Sequence, residues 1–127
     1  MADKLITFDN VSKNFGAIKA LENVNISVDT GEFLALVGPS GCGKSTILRI
    51  ASGLDEISSG TLNTRTSKIG YVFQDSTLMP WRTVRKNIEF LAELEKIDKQ
   101  IIKNKTNDII ELVGLQDFTE HYPIALS

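Results

Sequence analysis

A glycine-rich loop near the first third of the chain constrains the fold most. Residues 38–45 read GPSGCGKS and fit the pattern G-x-x-x-x-G-K-[ST] without adjustment. The apolar run Phe33 to Val37 precedes the loop and predicts a strand buried on both faces of a parallel sheet. Lys44 to Ala51 has helix character, and Gly53 is the expected stop. A buried strand, a glycine loop and a helix in this order predict an α/β fold that binds phosphate.

The residue types of this loop suit phosphate chemistry. Glycines let successive backbone N–H groups converge on phosphate oxygens, and the helix that begins near Gly43 adds its positive dipole end. We expect Lys44 to bridge the β- and γ-phosphates of a nucleotide and Ser45 to offer Mg²⁺ a hydroxyl ligand. Two alternatives stay open, namely an ordinary glycine-rich turn and a redox role for Cys42 in place of a small loop side chain.

Composition narrows the class of protein. The 127 residues include 14 basic and 16 acidic side chains, and the net charge of −2 gives no electrostatic reason to expect nucleic acid or anionic lipid. Cys42 is the only cysteine, so an internal disulfide is impossible and a reducing compartment is expected. The first residues do not read as a signal peptide, and no apolar stretch approaches the ~20 residues that span a bilayer. We expect a soluble cytoplasmic domain with one core.

Patterning predicts further strands and turns around the loop. Leu5 to Phe8 is a short apolar segment, and Val24 to Val28 alternates apolar and polar residues as a half-buried strand does. Residues 29–32 (DTGE) and 58–60 (SSG) have the composition of turns. Ile69 to Phe73 is another strand candidate.

The residues after position 82 change to a helical period. Thr83 is a good N-cap, and the apolar residues that share one side of the helix after it are Val84, Ile88, Leu91 and Leu94. Asp98 is expected to cap a second helix that ends near Gly114, with the inward residues Ile102, Ile109, Ile110 and Val113. Both helices are predicted to be amphipathic and to face a core, and a membrane-surface role is the alternative.

Four motifs in the right order resemble the ATP-binding subunit of ATP-binding cassette (ABC) transporters. The phosphate loop lies between GEF at 31–33 and SGL at 52–54, and Phe15 stands in the segment VSKNF. The segment VFQDSTLMPWRTV at 72–84 resembles the Q-loop region, most closely that of importers for nitrate, sulfonate, taurine and related small solutes. The final residues YPIALS resemble the approach to the signature motif L-S-G-G-Q.

This resemblance implies an α/β fold of the P-loop NTPase (ABC ATPase) type. It implies a nucleotide-binding core with an N-terminal β subdomain over residues 1–82, and part of a helical subdomain over residues 83–127. The implied ligands are ATP and Mg²⁺. Phe15 would stack on adenine, and the residues assigned to the phosphates are Gly38, Pro39, Ser40, Gly41, Cys42, Gly43, Lys44, Ser45 and Thr46. Ser45 and Gln74 are assigned to Mg²⁺, and Gln74 also to the attacking water.

The resemblance also implies partners. The segment Gln74–Trp81 would contact a transmembrane permease, with Met79 and Trp81 as a small exposed apolar patch. A second ATP-binding subunit would complete a dimer on the inner face of the cell membrane, and nucleic acid is not an expected partner. Core packing of Phe15, Met79 and Trp81 is the alternative interpretation.

Three features that hydrolysis requires in this family are not found in the sequence. There is no run of four apolar residues that ends in Asp and is followed by Glu. The only histidine, His121, precedes the signature position, and the signature motif reaches only Ser127. We expect a truncated chain of marginal stability that binds ATP without efficient hydrolysis, and whether it is an enzyme by itself stays open. A nucleotide-binding remnant with no transport role is the alternative, and the Q-loop and signature segments argue against a P-loop kinase.

Overall fold

The computed structural model describes residues 3–126 in two compact units, one reaching Val72 and the other starting at Phe73. The first unit contains β1 (Lys4–Phe15), β2 (Ile18–Asp29), α1 (Lys44–Ala51) and β3 (Ser59–Thr64). The second unit contains α2 (Val84–Leu94), α3 (Lys99–Leu112) and two short 3-10 helices, Gln116–Phe118 and Pro123–Leu126. Each unit has buried residues of its own, so the expectation of one core is wrong. The predicted subdomain division at residue 82 stays a prediction.

The sheet of the first unit is antiparallel, with strand order β2-β1-β3. β1 and β2 form a long hairpin in which Phe15 pairs with Ile18, and several β-bulges interrupt the register. The predicted strands at 5–8 and 24–28 are confirmed and extend to 12 residues each. The predicted turn at 29–32 is also confirmed, because the amide of Glu32 donates to the carbonyl of Asp29 at 3.1 Å.

β3 corrects one predicted turn. Ser59 and Gly60 belong to this strand and not to a turn, because the chain pairs with β1 from Ser59 onward. Gly60 has φ of 93°, and a Cβ atom at this position would lie 2.3 Å from the carbonyl oxygen of Asn10. Only glycine fits this close approach, so the composition that resembled a turn reflects a tight strand contact.

The core of the first unit lies between α1 and one face of the sheet. Phe8, Val11 and Leu21 from the strands pack with Ile50 of α1, and all four side chains are buried. α1 has the predicted boundaries, and Gly53 follows its C-cap with φ of 75°. This packing fixes the helix that follows the phosphate loop against the β1–β2 hairpin.

The predicted buried strand at 33–37 and the strand candidate at 69–73 do not form. Residues 33–37 and 69–73 belong to no sheet within residues 3–126, and Phe33 is 92% exposed and Val72 95% exposed. A parallel strand needs neighbours for both rows of its hydrogen bonds and cover on both faces. The sheet of the described chain is instead antiparallel and has β2 and β3 at its edges, so these segments run past the core with apolar side chains in solvent.

The second unit is built from two capped helices. The Thr83 hydroxyl accepts a hydrogen bond from the Lys86 amide, and the Asp98 carboxylate accepts from the amides of Gln100 and Ile101, so both predicted caps are confirmed. The predicted inward positions are correct only in part. Val84, Ile102 and Ile110 are buried and Ile88 is half-buried, but the exposed positions are Leu91, Leu94, Ile109 and Val113. Two packed helices cover one narrow stripe of each other, so the wider apolar faces stay in solvent.

Candidate nucleotide-binding site

The phosphate loop lies between the exposed apolar segment and the start of α1. Gly43 is the N-cap of α1 with φ of 96° and ψ of 2°, and it lies directly against β2. A Cβ atom at position 43 would lie 2.8 Å from the Ala20 carbonyl oxygen and 2.6 Å from Leu21 Cδ2. Only glycine permits both this backbone conformation and this close approach, so Gly43 allows the loop to pack directly against β2.

Backbone N–H groups of the loop are free to bind an anion. Within residues 3–126, the amides of Gly43, Lys44, Ser45 and Thr46 have no hydrogen-bond acceptor. Four unpaired donors at a helix N-terminus, with the positive end of the helix dipole, form a site for phosphate oxygens. No side chain of the described residues caps this helix, so none of them competes with an anion for these donors.

Lys44 folds back over the loop. Its Nζ donates hydrogen bonds to the carbonyl oxygens of Gly38 at 2.8 Å and Pro39 at 2.6 Å. The same Nζ lies 3.3 Å from Sγ of Cys42, the one exposed thiol. An ammonium with three donors held at the mouth of the loop can exchange these carbonyl acceptors for phosphate oxygens, so the donor set fits a polyphosphate.

The hydroxyl groups after Lys44 lie at the start of α1. The Ser45 side chain is exposed and that of Thr46 is half-buried, and within residues 3–126 neither hydroxyl makes a hydrogen bond. A free hydroxyl beside the phosphate-binding amides is an oxygen ligand of the type that Mg²⁺ prefers. The residues present therefore fit a nucleotide with its metal, although the individual roles stay predictions.

Phe15 lies at the end of the β1–β2 hairpin. Its ring is 47% exposed, which is less than a free surface side chain and far more than a core one, so the interpretation as core packing is not favoured. The Lys13 ammonium lies 4.9 Å from the ring centroid. Since Lys13 pairs with Leu21 in the hairpin and Leu21 touches Gly43, the aromatic ring and the phosphate loop are joined through β2.

An ion pair that the sequence pattern did not reveal joins α1 to the loop after it. Arg49 Nε lies 2.7 Å from Asp55 Oδ2, and its NH2 lies 3.1 Å from Oδ1, so the pair is bidentate. The hydrogen bonds from Arg49 hold the pKa of the Asp55 carboxyl below its usual range, and the Lys13 charge acts in the same direction. The pKa of Arg49 is raised in turn, chiefly by its hydrogen bond to Asp55. The spacing of six residues is not a helical one, which is why periodicity did not suggest it.

The segment Gln74–Trp81 belongs to the second unit. Gln74 is exposed and lies in a bend, and Trp81 is 75% exposed. Met79 was predicted to be exposed but is half-buried. Its neighbour Leu78 is the exposed apolar residue. Met79 turns inward because Asn87 of α2 holds its backbone, accepting from its amide at 2.8 Å and donating to its carbonyl at 3.1 Å.

His121 and Ser127 are two residues near the end of the chain that the sequence analysis considered. The exposed His121 ring lies 5.6 Å from the Phe118 ring, and its carbonyl accepts from the Val84 amide at 2.9 Å. Ser127, predicted to begin the signature motif, lies outside the described residues. Within residues 3–126, no group of three His, Cys, Asp or Glu side chains is arranged to hold a metal ion.

The loop, its free amides and Lys44 define a nucleotide-binding protein of the P-loop class. A family model described as ABC transporter matches residues 21–127. The chain belongs to the ABC transporter family. Among residues 3–126, none of the helices has the length and apolar character required to cross a membrane.

Several curated relatives are named import ATP-binding proteins. The probable sulfate/thiosulfate import ATP-binding protein of Chlorella vulgaris is 38% identical over 132 residues, which cover 96% of this chain and 56% of that protein. The nitrate import ATP-binding protein of Synechocystis is 41% identical over 119 residues, covering 88% of this chain and 45% of that protein. The aliphatic sulfonates import ATP-binding protein of Bacillus thuringiensis is 40% identical, covering 96% and 52%. The chain thus spans about half the length of these relatives.

A solved structure shares the fold. The ATP-binding cassette MJ0796, a dimer in a post-hydrolysis state bound to ADP and Pi, superposes with a TM-score of 0.83 at 29% identity. The match covers 96% of this chain and 63% of that one. The predicted fold class, α/β of the ABC ATPase type, is confirmed.

Proposed function

We propose that this chain is the ATP-binding part of an ABC importer subunit, with Gly38–Thr46 as the site for the nucleotide phosphates. The observation that carries the proposal is the set of unpaired amides at Gly43 to Thr46, with Lys44 Nζ held over the same loop. A di- or triphosphate would satisfy these donors in one step. Family membership supports ATP as the nucleotide, since family relatives are named ATP-binding proteins.

The proposal gives individual residues of the site a role in binding the nucleotide. Phe15 offers an aromatic face for adenine, and Lys44 exchanges its carbonyl acceptors for the β- and γ-phosphates. The Ser45 hydroxyl would hold Mg²⁺, which neutralises phosphate charge when bound, and the assignment of Gln74 to Mg²⁺ stays a prediction from the family resemblance. Cys42 serves as a small side chain between glycines, and its thiol takes no part in the chemistry.

The proposed class of transported solute is based on the names of the relatives. Sulfate, nitrate and sulfonate are all small oxyanions, and we propose import of a solute of this class. ATP binding between two such subunits on the inner face of the membrane would move a permease through the segment Gln74–Trp81. Exposed Leu78 and Trp81 give this segment the apolar surface of a contact site, and Asn87 gives it a fixed shape.

The 127-residue chain by itself would bind ATP without efficient hydrolysis. Its sequence has no apolar run ending in Asp-Glu, and its only histidine is exposed beside Phe118. Positioning and charge stabilisation of the attacking water would therefore be incomplete. Steady-state release of phosphate from ATP should stay at the background rate while nucleotide binding is measurable.

The decisive experiment for nucleotide binding is a Lys44→Ala variant. We expect its affinity for Mg-ATP to fall about tenfold or more, since the loss of a charge-assisted phosphate contact costs about 1.5–3 kcal/mol. Lys19→Ala is the matched control, because among the described residues Lys19 forms an ion pair with Glu22 alone, on the exposed surface of β2. A Lys44→Ala protein that binds Mg-ATP as the parent does would refute the proposal. Co-purification with an integral membrane permease separates the transport function from a nucleotide-binding remnant.

A further inference from the structure

Lys13 joins the exposed aromatic ring of the hairpin to the loop that follows α1. Its ammonium lies 4.9 Å from the centroid of the Phe15 ring, in a cation–π geometry. The same Nζ donates a hydrogen bond of 2.6 Å to the carbonyl oxygen of Glu56. The side chain therefore lies over the Phe15 ring while its charge is held by the Glu56 carbonyl, and the ring itself stays 47% exposed.

The loop that receives Lys13 is attached to the end of β1. This 54–58 loop, Leu54 to Ser58, connects α1 to β3. The Ser58 amide donates to the Ser12 carbonyl at 2.9 Å, and the Asn14 amide donates to Ser58 Oγ at 2.9 Å. Together with the Lys13 bond, three contacts hold the loop against the strand residues that lead into Phe15.

The same loop is attached to α1 at its other end. The bidentate Arg49–Asp55 pair closes it, and the Leu54 amide donates to the Arg49 carbonyl at 2.8 Å. α1 begins at Lys44 in the phosphate loop. A continuous set of short polar contacts thus runs from the phosphate-binding helix, through the 54–58 loop and Lys13, to the ring of Phe15.

We propose that Lys13 is a positioning residue for the base of the bound nucleotide. It holds the Phe15 ring in one orientation at a fixed place relative to the phosphate loop, so that base and phosphates bind together without ordering the ring first. Preorganisation of this kind improves affinity by removing the entropy cost of fixing a mobile side chain. The inference rests on the proposed nucleotide binding and adds a residue that touches neither base nor phosphate.

The test separates base binding from phosphate binding in the 127-residue chain. Dissociation constants of Mg-ATP and of inorganic tripolyphosphate are measured by calorimetry for the parent, Lys13→Met and Lys19→Met. We expect Lys13→Met to weaken Mg-ATP about fivefold and tripolyphosphate less than about twofold, since only the base uses the aromatic face. Lys19→Met removes the same charge from the neighbouring strand and should change neither constant by more than about twofold.

Two further variants distinguish positioning from a general structural role. Lys13→Arg keeps a cation that can stack on the ring and donate to Glu56, so its Mg-ATP affinity should return to within about twofold of the parent. In a Phe15→Ala background, Lys13→Met should have no further effect on Mg-ATP, because the ring that it positions is gone. If Lys13→Met does not fold, Asp55→Asn loosens the other end of the same loop and should weaken Mg-ATP selectively.

Three results would overturn the inference. Equal weakening of Mg-ATP and tripolyphosphate would make Lys13 a residue of the fold only, and unchanged affinity for both would give it no role. If Lys13→Met still weakens Mg-ATP binding in the Phe15→Ala background, Lys13 acts through a contact other than the Phe15 ring. Lys44→Ala binding both ligands as the parent does would instead refute the proposed function, and the inference would fail with it.

Discussion

The β1–β2 hairpin and the apolar segment Phe33–Val37 are both rich in β-forming residues, yet only the hairpin forms a sheet. β1 finds its partner directly along the chain, across the turn at Gly16, and takes β3 on its other side. The segment before the phosphate loop has no adjacent strand within residues 3–126, and its Phe33 and Val37 side chains are almost fully exposed. The same is true of Val72 in the second predicted strand. Apolar composition gives a strand its tendency to form, and a neighbour with free backbone groups decides whether it does.

The stability effects of substituting two valines, one in the sheet and one in the apolar segment, test this contrast. Val11 is fully buried in the sheet, and Val37 is 90% exposed in the apolar segment. We expect Val11→Ala to lower the free energy of unfolding by about 2–3 kcal/mol, because it leaves a cavity in a packed core. Val37→Ala should stay within about 0.5 kcal/mol. Urea unfolding followed by far-ultraviolet circular dichroism gives both values, and equal losses would mean that the segment is as well packed as the sheet.

Asn87 tests whether a loop without secondary structure is as firmly held as the hairpin. Its side chain bonds to the backbone of Met79 and also donates to the carbonyls of Arg82 and Thr83, both at 3.0 Å. We expect Asn87→Ala to cost about 1–2 kcal/mol, since several half-buried backbone groups lose their partners. Trp81 is the only tryptophan and lies in this loop, so its fluorescence reports the change directly.

The control for this loop is Asn104→Ala on α3. Within the described part of the chain the Asn104 side chain accepts from the exposed Gln100 side chain alone, so the expected change is within about 0.5 kcal/mol. If Asn87→Ala shifts the Trp81 transition no further than this control, the loop is held by other contacts.

The cap of α3 tests hydrogen bonds between residues that are close together in the chain. Asp98 accepts from the amides of Gln100 at 2.9 Å and Ile101 at 3.3 Å. Asp98→Ala should cost about 1 kcal/mol, as the loss of an N-cap usually does. Asp108→Ala removes the same charge from an exposed position within the helix and should change stability by less than half as much. Helical circular dichroism during urea unfolding measures both, and no difference between them would contradict a capping role.

The smallest expected effect concerns how the stability of the first unit depends on pH. Because Arg49 lowers the pKa of Asp55 in the folded chain, the pair contributes stability above the ordinary carboxyl pKa of about 3.9. That contribution is lost as the pH falls through the lowered pKa of the folded state. Asp55→Asn should therefore be less stable than the parent at pH 7, and the difference should shrink below about pH 4. A difference that is constant from pH 7 to pH 3 would exclude the ion pair as its source.

Much of the candidate site could be read from the sequence because its chemistry is local. The spacing of Gly38, Gly43 and Lys44 defines the loop, and the structure adds free amides and a lysine folded over it. Lys13, Asp55 and Asn87 could not be found in this way, because the partner of Lys13 lies in the loop after α1, that of Asp55 within α1 and that of Asn87 in the loop before α2. Periodicity reports which face of an element is apolar, and it says nothing of polar contacts between elements.

By itself the sequence determined the phosphate loop, the strand segments at 5–8 and 24–28, the helix caps and the family. All of these depend on residues close together in the chain, where backbone conformation, capping and adjacent pairing act over a few positions. Only the tertiary structure decided that Phe33–Val37 stays outside the sheet, that Gly60 belongs to a strand and that Lys13 links Phe15 to the end of α1. Those outcomes depend on which groups from distant parts of the chain meet, and burial and hydrogen-bond partners at such distances are fixed only when the chain has folded.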